Sequence, residues 1–219
     1  MERLAKDWAV VVLGRWNPAI LTPAGIATRL LGLNKDAPIE VQVALNEHRP
    51  FRVRSDGLII SVDWSALRIE LEDPTFPKLA TAMALATKAI KSLPETPLIA
   101  AGINVKYEVN NPTATVLKLL DSGFVTAMSD AGRQVKERSY RLTLLDDPGV
   151  INFELAYKST EVLVVSSNFH CESTEEATLA NWCSQAIDNL EQTVHSIVGG
   201  ALGITAEEEL DGTEQQNDE

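Results

Sequence analysis

The chain has 219 residues, of which 45% are apolar and 23% charged, a size and composition that fit one globular domain or two small lobes and exclude a collagenous, low-complexity or wholly disordered chain. Its net charge of −12 is unevenly spread: all 19 Lys and Arg lie at or before Lys158, whereas residues 159–219 carry 13 Asp and Glu and no cation. Direct binding of a nucleic-acid backbone by that last third is disfavoured, because no side chain there can displace phosphate counterions.

In chain order, Trp8 to Leu13 is a Val-rich run bounded by Gly14 and Pro18 and is predicted as a buried strand. Thr22-Pro23 places a capping hydroxyl before a proline at the first helical position, with Ile26, Leu30 and Leu31 at helical spacing and Gly32 as the stop. Ile39, Val41 and Val43 alternate with polar residues as a half-buried strand would. From Phe51 to Leu71 the alternation is clearest. Asp56-Gly57 supplies a tight hairpin turn, Leu58, Ile60, Val62 and Trp64 continue on one face, and Leu67, Ile69 and Leu71 form the third strand of a meander. Asp73-Pro74 is predicted to cap a helix carrying Phe76, Leu79, Met83, Ala86, Ile90 and Leu93 as an apolar stripe. Ile99 to Val109 returns as a strand, and a short helix follows from about Thr113 to Asp121.

The pattern then repeats. Tyr140, Leu142 and Leu144 alternate with Arg141 and Thr143, Asp146-Asp147-Pro148-Gly149 turns the chain, and Ile151 to Tyr157 and Val162 to Cys171 give two more strands. Ser173 with Glu176 reads as a capping box opening a long helix to about Val198, striped by Cys183, Ile187, Leu190, Val194 and Ile197 and stopped by Gly199-Gly200. The predicted fold class is α+β, with two related lobes, each an antiparallel meander followed by a long amphipathic helix. Residues 1–110 form the first lobe and 111–205 the second, and 206–219, with seven acids and almost no apolar residue, form a disordered acidic tail.

The stretch Ser55-Asp56-Gly57-Leu58-Ile59-Ile60-Ser61-Val62-Asp63-Trp64, the helix start at Pro74 to Phe76, the strand Gly102-Ile103-Asn104-Val105-Lys106-Tyr107-Glu108 and His195 in the final helix together resemble a sporadically distributed family of uncharacterised prokaryotic proteins. The likeness spans about residues 50–200, and Lys106-Tyr107-Glu108 stands where that family has a Tyr-Ile-Asn order. It implies a two-lobed accessory protein of mobile-element or phage-defence gene neighbourhoods, with no assigned active site.

Chemistry-bearing motifs are sparse. The sequence holds no Gly-x-Ser-x-Gly elbow, phosphate-binding Gly-rich loop or His-Glu-x-x-His. Cys183 and His195 are 12 residues apart on one predicted helix, about 18 Å along its axis, too far to share a zinc ion. His170 and Cys171 are adjacent on a strand and point to opposite faces. No metal, cofactor or catalytic residue is expected, and Cys171 and Cys183 read as buried thiols. With no bilayer-length apolar stretch and no signal-peptide core near the N-terminus, the expectation is a cytoplasmic protein without membrane contact. What remains is charge. Glu175, Glu176, Asp188 and Glu191 on the last helix, with the tail, are the candidate contacts for a protein partner with a basic surface. Arg52 and Arg54 in the first meander, and Arg133, Lys136 and Arg138 before the second, are candidate docks for an acidic segment of this chain or of a second copy. The expected function is a non-catalytic interaction or assembly subunit, in a homo- or hetero-oligomer. A nucleic-acid-mimicking inhibitor of a DNA-binding protein, or an enzyme with an unrecognised pocket, are the alternatives.

Overall fold

The structure is a computed structural model that describes residues 3–34, 36–43, 50–158 and 162–204; the expected acidic tail and His48 lie outside the described residues. The chain is α+β, with ten strands in one antiparallel sheet: β1 (Arg3–Ala5), β2 (Ala9–Gly14), β3 (Glu40–Gln42), β4 (Arg52–Ser55), β5 (Leu58–Val62), β6 (Ala66–Leu71), β7 (Leu98–Asn110), β8 (Glu137–Asp146), β9 (Gly149–Lys158) and β10 (Val162–Glu172). Across the sheet the order is β3-β4-β5-β6-β2-β7-β10-β9-β8, and β1 pairs with β7 ahead of β2. The meanders β4-β5-β6 and β8-β9-β10 are therefore joined through β2 and β7 into one continuous sheet.

The helices are α1 (Pro23–Gly25), which runs into a π-helical turn over Ile26–Leu30, α2 (Phe76–Ser92), α3 (Ala114–Lys118), α4 (Gly123–Asp130), α5 (Glu176–Cys183) and α6 (Ile187–His195), which runs into a second π-helical turn over Ser196–Ala201. Helix α2 packs on β2 and β6, and α5 packs on β7 and β10 beside α2. The period-two alternation of the strands decides which side chains meet these helices. One register row crosses nine strands as Val41, Val53, Ile60, Ile69, Val10, Ile103, Phe169, Ile151 and Leu144. Its central members, from Val53 to Ile151, are buried, and each fully buried side chain of this kind stabilises the fold by about 1.5–3 kcal/mol. The neighbouring row on the opposite face, Arg54, Ile59, Glu70, Ala9, Asn104, Asn168, Asn152 and Thr143, is open to solvent and polar at both ends.

Several expectations shift. The Thr22 cap forms, its hydroxyl accepting from the Gly25 amide at 3.1 Å, and Asp56 and Gly57 both take positive φ in the hairpin. Trp64 does not continue the buried face. The Asp63 carboxylate accepts from the Ser65 and Ala66 amides at 2.7 and 2.9 Å, closing a turn that leaves Trp64 73% exposed. Helix α2 starts two residues later than Asp73-Pro74: Thr75 is its cap and Pro77 lies in its first turn. The strand at Ile39–Val43 is reduced to β3, a three-residue edge strand, and Val41 within it and Val43 just after it are exposed. The long helix predicted from Ser173 to Val198 is two helices. Its capping box is replaced by a Ser173 hydroxyl that accepts from the Glu175 backbone amide, and the helix breaks at Ser184–Ala186, where the Ser184 hydroxyl and the Gln185 side-chain Nε2 donate to the Asn181 and Trp182 carbonyls. The second π-helical turn runs through Gly199-Gly200, and the positive φ nearest its end is at Gly203.

Candidate functional site

Two features of the sheet stand out, its charged open face over β4–β6 and its apolar outer edge at β8. On the open face Arg52 pairs with Glu70, while Arg54 donates to Glu72 from Nε at 2.6 Å and to Glu40 from Nη1 at 3.2 Å. Arg68 binds Asp63 at 2.8 Å. Arg52, Ser61 and Arg68 form one cross-strand row in a depression of about 530 Å³ that Gln42, Asp63 and Glu70 also line. Burial tends to raise the Asp63 pKa, but the bonds from Ser65, Arg68 and Ala66 outweigh it and hold this carboxyl below the ordinary range. Each guanidinium here is thus neutralised by a carboxylate of its own sheet. Arg52 and Arg54, candidate docks by sequence, act as cross-strand ties.

The other candidate charges also have local roles. Arg138 pairs with Asp121 and stacks 5.2 Å from the Tyr157 ring centroid. Arg133 and Lys136 are exposed in the segment between α4 and β8. Glu175 stands at the N-cap position of α5 and accepts from the Thr178 hydroxyl at 3.0 Å rather than from a backbone amide, and Glu176 lies in the first turn of α5. Asp188 holds the equivalent place in α6. Acids in a first turn complement the helix dipole, worth about 0.3–1 kcal/mol each. Glu191 meets His195 at 3.4 Å. The break at Ser184–Ala186 divides these four acids between two helices, so they do not form one row on one helix face.

Among the described residues no thiol and imidazole are brought together. Cys171 and Cys183 are buried on the helix side of the sheet, Cys171 lying 4.0 Å from the Pro148 carbonyl oxygen, and burial pushes the Cys183 thiol up to about 12. His170 is on the open face beside Glu172, and His195 packs against the Phe76 ring at 5.8 Å. Among the described residues no cluster of three His, Cys, Asp or Glu could hold a metal ion, and no helix is long and apolar enough to cross a membrane.

The β8 edge is different in kind. Tyr140 and Leu142, expected to face a core, are 45% and 42% exposed, and Leu145, on the other face, is 93% exposed. Among the described residues no helix packs on β8 as α2 and α5 pack on the middle of the sheet. Beside it, α3 and α4 leave Leu119 and Phe124 exposed, Phe124 at 71%, and a groove of about 290 Å³ runs between them and β8, lined by Phe124, Val125, Met128, Val135 and Tyr140. Sequence reasoning missed this surface because it assigned the Tyr140 alternation to a buried face and did not anticipate α4. The Ser122 hydroxyl that accepts from the Val125 amide at 3.3 Å was the available signal for that helix. The chain matches no family model, no curated protein and no solved structure.

Proposed function

We propose that the chain is a non-catalytic protein-interaction or assembly subunit whose contact surface is the β8 edge together with the groove beneath α4. The observation that carries this reading is the exposure of Tyr140 and Leu142 on one face of β8 beside Leu119 and Phe124, which line a groove together with Tyr140, since contiguous exposed apolar surface on a globular protein marks an interaction site. The neutralised arginines of the β4–β6 face favour it further, because they leave little free charge for an anionic substrate. In this reading the two meander-plus-helix halves are related units, the second of which has turned its outer strand to binding. Glu175, Glu176, Asp188 and Glu191 steer a partner with a basic surface, adding to the rate of encounter more than to affinity. The resemblance noted in residues 50–200 agrees with an accessory role. The test is photo-crosslinking from benzoylphenylalanine placed at Phe124, with Trp64, exposed at the far side of the sheet, as the reference. A discrete product from position 124 that disappears in Leu142→Lys supports the reading. Equal labelling from positions 124 and 64, or none from 124, sinks it.

A further inference from the structure

The outer strand β8 carries its own account of what pairs with it. Ten residues of β8 match ten of β9 in unbroken register from Glu137↔Lys158 to Asp146↔Gly149, so no bulge twists the edge away, and β8 itself contains no proline. Native edges are ordinarily blunted by such devices or kept short. The opposite edge, β3, is short, with three residues. Along β8 every second N–H and C=O points away from β9, beside exposed Tyr140, Leu142 and Leu145.

We propose that two copies of this chain pair antiparallel along β8 about a two-fold axis at Leu142, joining two ten-stranded sheets into one. This rests on the reading of the β8 edge as the contact surface and names its occupant. A closed two-fold contact must be self-complementary, and the β8 sequence is so in this register. Leu142 meets Leu142 of the second copy, Tyr140 meets Leu144, Arg138 meets Asp146, and on the other face Arg141 meets Thr143 and Ser139 meets Leu145. Nine of the ten residues find a partner, all members of a pair share a face, and the only cation–anion match joins opposite signs. The two neighbouring registers that keep the helices of both copies on one side fail. Centring on Arg141 sets Arg141 against itself, and centring on Thr143 sets Tyr140 against Asp146 and leaves Arg138 past the end of the pairing. Arg141, although exposed, pairs with Glu154 of β9 at 2.9 Å, on the side of β8 away from the second copy. The groove under α4, lined by Phe124 and Met128 together with Asp121 and Arg138, lies beside Tyr140, where Leu144 of the second copy arrives.

The test uses the purified full chain, followed by light scattering over a wide concentration range. The expected mass is twice the 23.9 kDa of the chain, and Leu142→Lys, which places two cations on the axis, gives a monomer with an unchanged far-ultraviolet circular dichroism spectrum. Asp146→Arg raises the dissociation constant roughly tenfold, because symmetry applies the repulsion twice. Register is read by oxidation. Leu142→Cys forms a covalent dimer, since directly opposed Cα atoms lie about 4.5–5.5 Å apart, within disulfide reach. Leu145→Cys does not, since its symmetry mate lies six residues along the strand, about 20 Å away. Cys171 and Cys183 are buried and stay silent. A chain that is monomeric at every concentration, a dimer indifferent to Leu142→Lys, or crosslinking from Leu145→Cys equal to that from Leu142→Cys overturns the proposal. If the chain is monomeric while position 124 still crosslinks to a different protein in a Leu142-dependent way, the pairing proposal fails and the interaction reading stands.

Discussion

Two glycine-to-alanine changes, chemically identical, are expected to move stability in opposite directions. Gly149 opens β9 at the end of the β8 hairpin, and a Cβ placed there would lie 2.3 Å from the His170 carbonyl oxygen and 2.8 Å from the Trp182 ring. Ordinary contact begins near 3.4 Å, so one neighbour must yield by about 1 Å, and both are fixed: His170 belongs to the β10 backbone and Trp182 is buried in α5. Overpacking of this kind costs about 1–3 kcal/mol, and an obstacle made of sheet backbone places Gly149→Ala in the upper half of that range. For a chain of this size the melting temperature should fall by roughly 4–12 °C. At Gly123, in the first turn of α4, an added Cβ would meet nothing within 4 Å, and the residue has no positive φ. Gly123→Ala should therefore stabilise by about 0.4–1 kcal/mol, mainly by narrowing the unfolded ensemble. Urea unfolding followed by circular dichroism measures both. A Gly149→Ala variant within about 0.5 kcal/mol of the parent, or less damaged than Gly123→Ala, would refute the packing argument and with it the placement of Trp182 against the β8 hairpin.

Three further outcomes are expected. Burial raises the pKa of both thiols, that of Cys183 to about 12, so a disulfide reagent at pH 8 should titrate no thiol in the native chain and both in guanidinium; rapid native reaction would contradict the burial. Because the Asp63 pKa is lowered on folding from the ordinary 3.8, its contribution is present above that value and lost as pH falls through the folded one. Asp63→Asn should thus be less stable than the parent near neutrality and converge with it in acid, as urea midpoints across a pH series would show; a constant gap would mean the Ser65 and Arg68 bonds do not tune this group. Trp64→Ser should change stability by no more than about 0.5 kcal/mol while removing the most solvent-shifted tryptophan fluorescence, since Trp8, Trp16 and Trp182 are buried.

The parts of the fold that local chemistry dictates were readable in the sequence. Asp56-Gly57 demands a tight hairpin, Thr22-Pro23 a helix start, and the alternation of β5, β6, β9 and β10 a sheet with one buried face. The errors arise where one local signal mimics another. Asp73-Pro74 and Thr75 with Pro77 are both acceptable helix starts, and only packing of Phe76 against Trp8, with ring centroids 4.9 Å apart, selects the second. The stripe Cys183, Ile187, Leu190 and Val194 keeps helical spacing through the break at Ser184–Ala186, so periodicity alone cannot reveal it. At β8 the alternation is real, but its apolar side is left largely exposed at Tyr140 and Leu142. Burial depends on what lies opposite, and period-two patterning says nothing about that. For the candidate cations the limit is sequence distance. The partners, Glu70 for Arg52 and Asp121 for Arg138, are 18 and 17 residues away and become visible only with the register.

The position of β2 has a consequence for how the chain folds. Residues 9–14 precede both of their partners in the chain, yet β2 sits between β6 and β7, pairing with residues 66–70 on one side and 98–104 on the other. Its ladders close loops of more than fifty and about ninety residues, whereas each meander closes loops of a few. Such long-range closure slows folding, so the two hairpin systems are expected to form first and the N-terminal strand to enter last, as the seam between them. Until then both β6 and β7 present an unpaired flank to neighbouring chains. Removing β2 would accordingly divide the sheet at its centre, although it is only six residues long.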